Sequence, residues 1–177
     1  MNKIKLATVW LDGCSGCHMS FLDMDERLLD LSTQFDLVYS PLVDFKVYAD
    51  SVDVALVEGA ISSVEDEHKI LHIRKHTTLL IAMGDCAVTG NVPAMRNPFG
   101  PLPILERAYH ENAAAQRQTP SSIVPALLDK VRPIHEFVDV DLYLPGCPPS
   151  ADTFFSVITD LLAGTIPNVT SLTRFGA

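Results

Sequence analysis

Apolar residues along the chain fall in short continuous runs separated by amphipathic stretches, the pattern of a parallel sheet covered on both faces. Lys5-Leu6-Ala7-Thr8-Val9-Trp10-Leu11 is β-rich and stops at Asp12-Gly13, which predicts a first buried strand. Cys17, Phe21, Met24, Leu28 and Leu31 then follow a 4-3-4-3 spacing, laying one apolar stripe along a helix with Asp23, Asp25, Glu26 and Asp30 mostly off it. Phe35 to Tyr39 reads as a strand closed by Pro41, and Val52 to Val57 as another that ends at Glu58-Gly59. Ser62 with Glu65 makes a capping-box pattern, and acidic residues crowd the first turn of the helix it opens, with Lys75 and His76 at the far end.

Thr77 to Met83 is the most continuous apolar run and stops at Gly84-Asp85-Cys86, as a central parallel strand would. Between Ala87 and Pro103, Gly90, Pro93, Pro98, Gly100 and Pro101 punctuate a stretch longer than a connection needs, which marks it as functional. A helix is expected over 104–115, a polar break through 119–122, a short helix over 126–131, and a last strand over 138–144. After Pro148-Pro149, Ser150 caps a helix whose Phe154, Val157, Ile158, Leu161 and Leu162 face the core, ended by Gly164 and Pro167. The expectation is a single α/β domain over 1–177, flavodoxin-like and doubly wound.

Composition narrows the function. With 22 acidic and 13 basic residues the net charge is −9, and no Lys/Arg stripe serves nucleic acid or an anionic membrane. No apolar run reaches membrane-spanning length, and no export signal is visible, so the expected location is the cytoplasm. There thiols stay reduced, and four cysteines read as metal-binding or redox-catalytic before disulfides.

Those cysteines are Cys14 and Cys17 in Cys14-Ser15-Gly16-Cys17, Cys86 in Gly84-Asp85-Cys86-Ala87, and Cys147 in Pro145-Gly146-Cys147-Pro148-Pro149. Cys14, Cys86 and Cys147 each follow a different predicted strand, and Cys17 opens a helix. Ligands of open α/β sheets sit outside the carboxyl ends of the strands, so all four thiols fall on one rim. Three occupants suit them. An iron-sulfur cubane takes four thiolates and needs backbone N–H donors, for which Gly13, Gly16, Gly84 and Gly146 leave room. Structural zinc also takes four, although its sites usually show two close pairs. A dithiol redox site would use the CxxC between strand and helix and leave Cys86 and Cys147 idle.

His68, His72 and His76 lie at i, i+4, i+8, but among Glu65, Asp66, Glu67, Lys69, Arg74 and Lys75 they read as a solvated or partner-facing surface. Glu58 closes a buried strand on the cysteine rim, where an exposed strand-end carboxylate and a proton-transfer or interface role are both open. Trp10 and the phenylalanines are expected in the core.

With these loops the chain resembles the small subunit of nickel-iron hydrogenases, most closely the short single-cluster type of soluble NAD-reducing hydrogenases. The resemblance runs over nearly the whole chain and rests on Val9-Trp10-Leu11-Asp12-Gly13-Cys14-Ser15-Gly16-Cys17, Val57-Glu58-Gly59-Ala60, Gly84-Asp85-Cys86-Ala87, and the run from Val131 through Pro149. It implies that Cys14, Cys17, Cys86 and Cys147 carry one 4Fe-4S cluster next to a nickel-iron site in a partner large subunit. It further implies electron transfer towards iron-sulfur and flavin diaphorase subunits that reach NAD. One cubane uses every cysteine here, so hydrogen chemistry belongs to another chain. The fold also leaves open an FMN on this subunit, with no residue set that points to one. The homologous cluster subunit of respiratory complex I has adjacent cysteines in its first motif, which makes a quinone-linked complex the second reading.

Overall fold

A computed structural model describes residues 3–173 and 175. In chain order it contains β1 (Ile4–Trp10), α1 (Gly16–Leu22), α2 (Glu26–Ser32), β2 (Phe35–Tyr39), β3 (Val52–Glu58), β4 (Ile61–Ser63), α3 (Val64–Lys75), β5 (Thr77–Met83) and α4 (Gly84–Thr89). Then follow α5 (Pro101–Glu106), β6 (Leu127–Arg132), β7 (Leu142–Leu144) and α6 (Ala151–Leu162). Five parallel strands form one sheet in the order β2-β1-β3-β5-β7. Counted over that sheet the order is 2-1-3-4-5, the flavodoxin-like winding expected from the sequence.

Alternation along each strand divides the core into two layers. Leu6, Val54, Leu56, Ile81, Met83 and Leu144 face Phe21, Met24, Leu31, Phe154, Val157 and Ile158, which come from α1, α2, α6 and the link between the first two. Ala7, Val9, Ala55, Val57, Leu80 and Ala82 face Ile70 and Ile73 of α3 and Ala87 and Val88 of α4. Burying both faces is what makes the strands read as near-continuous apolar runs. β7 is held in place by Asp141, whose carboxylate accepts from Leu80 N at 2.7 Å and from Arg74 Nη1 at 2.6 Å. Burial opposes that charge, but the Leu80 and Arg74 donors outweigh it and hold the carboxyl below its usual range.

Several elements depart from expectation. The first helical stripe is carried by two helices, because the chain turns at Asp25 with φ 51° before α2 begins. Its apolar residues still face the core, since a turn that preserves the direction of the stripe preserves its burial. The capping box of α3 uses Ser63 and Asp66 in place of Ser62 and Glu65. Ser63 Oγ accepts from Asp66 N, and Asp66 Oδ2 collects the Ser63 N–H at 2.9 Å and the Ser62 N–H at 3.2 Å, a cap contributing about 1 kcal/mol.

The helix expected over 104–115 begins earlier, at Pro101, and its last turn widens to a π-turn over Arg107–Glu111. The segment 126–131, expected helical, is instead strand β6, antiparallel to β4. Asn97 gives it a second edge, accepting from Val131 N at 2.7 Å and donating to Val131 O at 2.8 Å. Pairing partners distant in sequence override a weak local helical pattern here. The last strand shortens to Leu142–Leu144, preceded by a single 3-10 turn over Ile134–Glu136.

Candidate metal centre

The rim at the carboxyl ends of the sheet is built from four consecutive neighbours, β1, β3, β5 and β7. β1 leads to Cys14 and then to Cys17 in the first turn of α1, β5 leads to Cys86 inside α4, and β7 leads to Cys147. Cys17 is buried, Cys86 half-buried, and Cys14 and Cys147 are exposed. The four sulfurs are near enough to feel one another's charge. Burial pushes the Cys17 thiol up most, followed by Glu58, Cys86, Cys14 and Cys147. Cys86 is pushed up to about 11 by burial first, then by Cys147, Cys14 and Glu58, against an N–H bond from Val92 that lowers it.

Each of three sulfurs receives an N–H donor. Gly16 N donates to Cys14 Sγ at 3.4 Å, Val92 N to Cys86 Sγ, and Asn91 Nδ2 to Cys147 Sγ at 3.5 Å. The fourth, Cys17 Sγ, is packed against Gly84, where an added Cβ would stand 2.2 Å from the sulfur. Gly84 has φ +81°, a conformation that a side chain would also strain. A Cβ on Gly16 would likewise come within 3.1 Å of Cys14 Sγ. Of the other two glycines, Gly13 lies against Gly59 and Glu58, and Gly146 is required by its own turn at Pro149 rather than by a sulfur.

The ligand loops are tied directly to one another. Asp85, next to Cys86, accepts the Gly146 N–H on Oδ1 at 2.8 Å, while its own N–H goes to Gly146 O at 2.9 Å. Ser20 on α1 donates to Pro149 O at 2.5 Å. Glu58, which closes β3 between the two cysteine-bearing neighbours, is 2% exposed, so the solvent-exposed strand end is ruled out. Its Oε2 accepts from His18 N at 3.0 Å and from His18 Nδ1. His18 is buried as well, and its Nε2 has no hydrogen-bond partner among the described protein atoms.

Four thiols, three of them with N–H donors and the fourth in a glycine cradle, fit a polynuclear cluster. Among the described residues no group of three or more His, Cys, Asp or Glu side chains is placed to hold a metal ion. A single zinc needs its thiolates within about 2.3 Å of one point, whereas a cubane spreads four ligands over four irons. A dithiol nucleophile needs a lowered thiol, and burial drives Cys17 the other way.

The model of the family described as NADH ubiquinone oxidoreductase, 20 Kd subunit, matches residues 14–161, a span that encloses all four cysteines. The delta subunit of the NAD-reducing hydrogenase HoxS of Cupriavidus necator is 43% identical over 92% of this chain and 80% of its own length. The chain belongs to this family, as a hydrogenase small subunit. A solved NAD+-reducing nickel-iron hydrogenase in the H2-reduced state contains a chain that superposes with a TM-score of 0.91 at 39% identity, covering 98% of this chain and 99% of that one. A vhu chain of the F420-non-reducing hydrogenase of Methanocaldococcus jannaschii is 36% identical over 94% of this chain, which spans 58% of that longer relative.

Within this small-subunit fold the structure brings together Cys14, Cys17, Cys86, Cys147 and Glu58 and leaves His72 and His76 apart. His72 and His76 stack at 4.3 Å, with Tyr48 against His72, and His76 O accepts from Val52 N where β3 begins, at the opposite end of the sheet. Trp10 is not in the core. It is 45% exposed at the rim, where its Nε1 donates to Gly13 O at 3.1 Å. Of the phenylalanines, Phe21, Phe35 and Phe154 are buried, whereas Phe45 and Phe99 are exposed. His18, Asp85, Asn91 and Val92 are site residues that sequence reasoning missed. Gly90-Asn91, a turn signal, was the available trace of the third, and Asn91 takes φ 32°. Among the described residues no helix is long and apolar enough to cross a membrane.

The Asp85 tie carries a direct expectation. Asp85→Ala leaves the buried Gly146 N–H without its acceptor, and the cost is about 1–3 kcal/mol. Chemical denaturation of the variant should show that loss, and an unchanged midpoint would show that the two ligand loops do not depend on this bond.

Proposed function

We propose that Cys14, Cys17, Cys86 and Cys147 hold one 4Fe-4S cluster, and that the chain relays electrons within a cytoplasmic NAD-reducing nickel-iron hydrogenase. The observation that carries this reading is the meeting of three strand-end loops at one rim, with N–H donors on three of the sulfurs. A bound cubane supplies one-electron transfer. The chain's own residues do the rest. Gly84 lets the backbone close on Cys17. Asp85 fixes the Cys147 loop to the Cys86 loop, and Gly16, Val92 and Asn91 present N–H groups to sulfurs whose charge must be carried in a half-buried site.

All four cysteines are consumed by one cluster, so the nickel-iron site is assigned to a large subunit. Iron-sulfur and flavin diaphorase subunits are assigned the exchange with NAD, in line with the name of the Cupriavidus relative. The description of the matching family favours a second reading, a subunit of a quinone-linked oxidoreductase. Anaerobic purification from the native host separates the two. Co-purification of a nickel-containing large subunit with hydrogen-dependent NAD reduction supports the first reading. A nickel-free complex that reduces quinone contradicts it.

A further inference from the structure

Glu58 occupies the centre of the rim. In register it pairs with Trp10 of β1 on one side and with Met83 of β5 on the other, the residues that lead into the Cys14–Cys17 loop and into Gly84. Both donors on its Oε2 come from His18, the residue that follows Cys17, so the carboxylate is fastened to the ligand turn itself. An ideal Cβ on Gly13 would lie 3.6 Å from Oε1, so the second oxygen borders the Cys14 loop. Among the described residues the one basic side chain paired with Glu58 is His18, through Nδ1, and no Lys or Arg reaches it. Its charge bears on Cys17 second only to burial, and also on Cys86.

A plain structural role would be to cap the first turn of α1, since His18 N is one of the donors that a helix start leaves open. A neutral amide would do that equally well, because its carbonyl oxygen also accepts two N–H groups. What the carboxylate has over an amide is one unit of negative charge in a buried place, and Glu58→Gln removes that unit while keeping an oxygen for His18. Reduction of a cluster adds one electron, and a fixed negative charge across a low-dielectric gap opposes it.

We propose that Glu58 is a fixed charge that holds down the reduction potential of the cluster, with His18 as the residue that positions it. The proposal rests on the assignment of the four cysteines to a cluster. It gives the chain a means of tuning its own carrier from the sheet, independent of the ligands.

The test is Glu58→Gln in the large–small subunit complex purified anaerobically, with iron and acid-labile sulfide counted first. A redox titration of the cluster, followed by its reduced-state paramagnetic resonance signal, is then compared with that of the parent. At a fixed ambient potential the ratio of reduced to oxidised cluster should rise about tenfold, a shift of about 59 mV for a one-electron couple. Glu58→Asp, which draws the charge back by one methylene, should shift the same way by less. A Gln variant with full sulfide and the parental potential overturns the proposal. Should the Gln variant fail to load, the Asp variant decides, a rise supporting the proposal and the parental value overturning it. Absence of sulfide in the parent removes the cluster assignment and this inference with it, an outcome told apart because it precedes any titration.

Discussion

Gly84→Ala should strip the chain of iron. The added methyl would stand 2.2 Å from Cys17 Sγ, far inside contact distance, with Gly146 O at 3.6 Å on the other side. Neither side yields easily. Cys17 is buried in the first turn of α1 against the core that contains Phe21 and Phe154, and Gly146 is tied both ways to Asp85. The φ of +81° adds about 1–2 kcal/mol of backbone strain for any residue with a Cβ. Moving the sulfur is the cheapest relief, and a displaced sulfur no longer shares a site with the other three. Acid-labile sulfide per chain in the anaerobically purified complex is expected to fall by about tenfold, the loss expected from misplacing a residue that shapes a metal site. The chain itself should still fold, so circular dichroism should report a near-parental spectrum. Parental sulfide content in the Ala variant would show that the cradle is not what the glycine is for.

Cys86→Ser and Cys147→Ser should each lose the cluster, and for a reason that differs from that of Gly84. A serine keeps the volume and loses the soft thiolate donor. These two ligands come from loops about sixty residues apart in sequence, so neither can be replaced by a neighbour within its own loop. Asn91 reaches the Cys147 loop through the sulfur, and without a cluster that loop is left with its ties to Asp85, Ser20 and Thr173. Each variant should therefore show sulfide near zero and weaker retention of the large subunit on gel filtration. A variant complex that keeps its sulfide and its hydrogen-dependent NAD reduction would remove that cysteine from the ligand set.

What could be read from the chain follows from range. The sheet was legible because both of its faces are buried, so β1, β3 and β5 are apolar at most of their buried positions and their ends are marked by Gly13, Gly59 and Gly84. β6 was not, because only Val131 of its six residues is buried and its strand character comes from β4 and Asn97. The capping box slipped by one residue because Ser62 and Ser63 offer the same hydroxyl at adjacent positions, and Asp66 reaches both.

In the site, the cysteines were legible from residue type and from their place after strands. Glu58 was half legible: its position on the rim was evident, but its burial depends on His18, forty residues away. Trp10 was misplaced because a large aromatic in a strand-like run reads as core, and only the geometry of the strand end turns it outward. Asp85 and Asn91 act through contacts made sixty-one and fifty-six residues away, which no local pattern encodes. The long punctuated stretch after Ala87 did announce a function, and the donors from Asn91 and Val92 to two sulfurs give it one.

Whether the four thiols share one cubane is decided by counting acid-labile sulfide and iron per small subunit after anaerobic purification with the large subunit, since sulfide belongs to neither nickel-iron chemistry nor zinc. A shared cubane requires about four sulfides per chain, and that is the expected count. Zinc in place of iron, with no acid-labile sulfide, would contradict it.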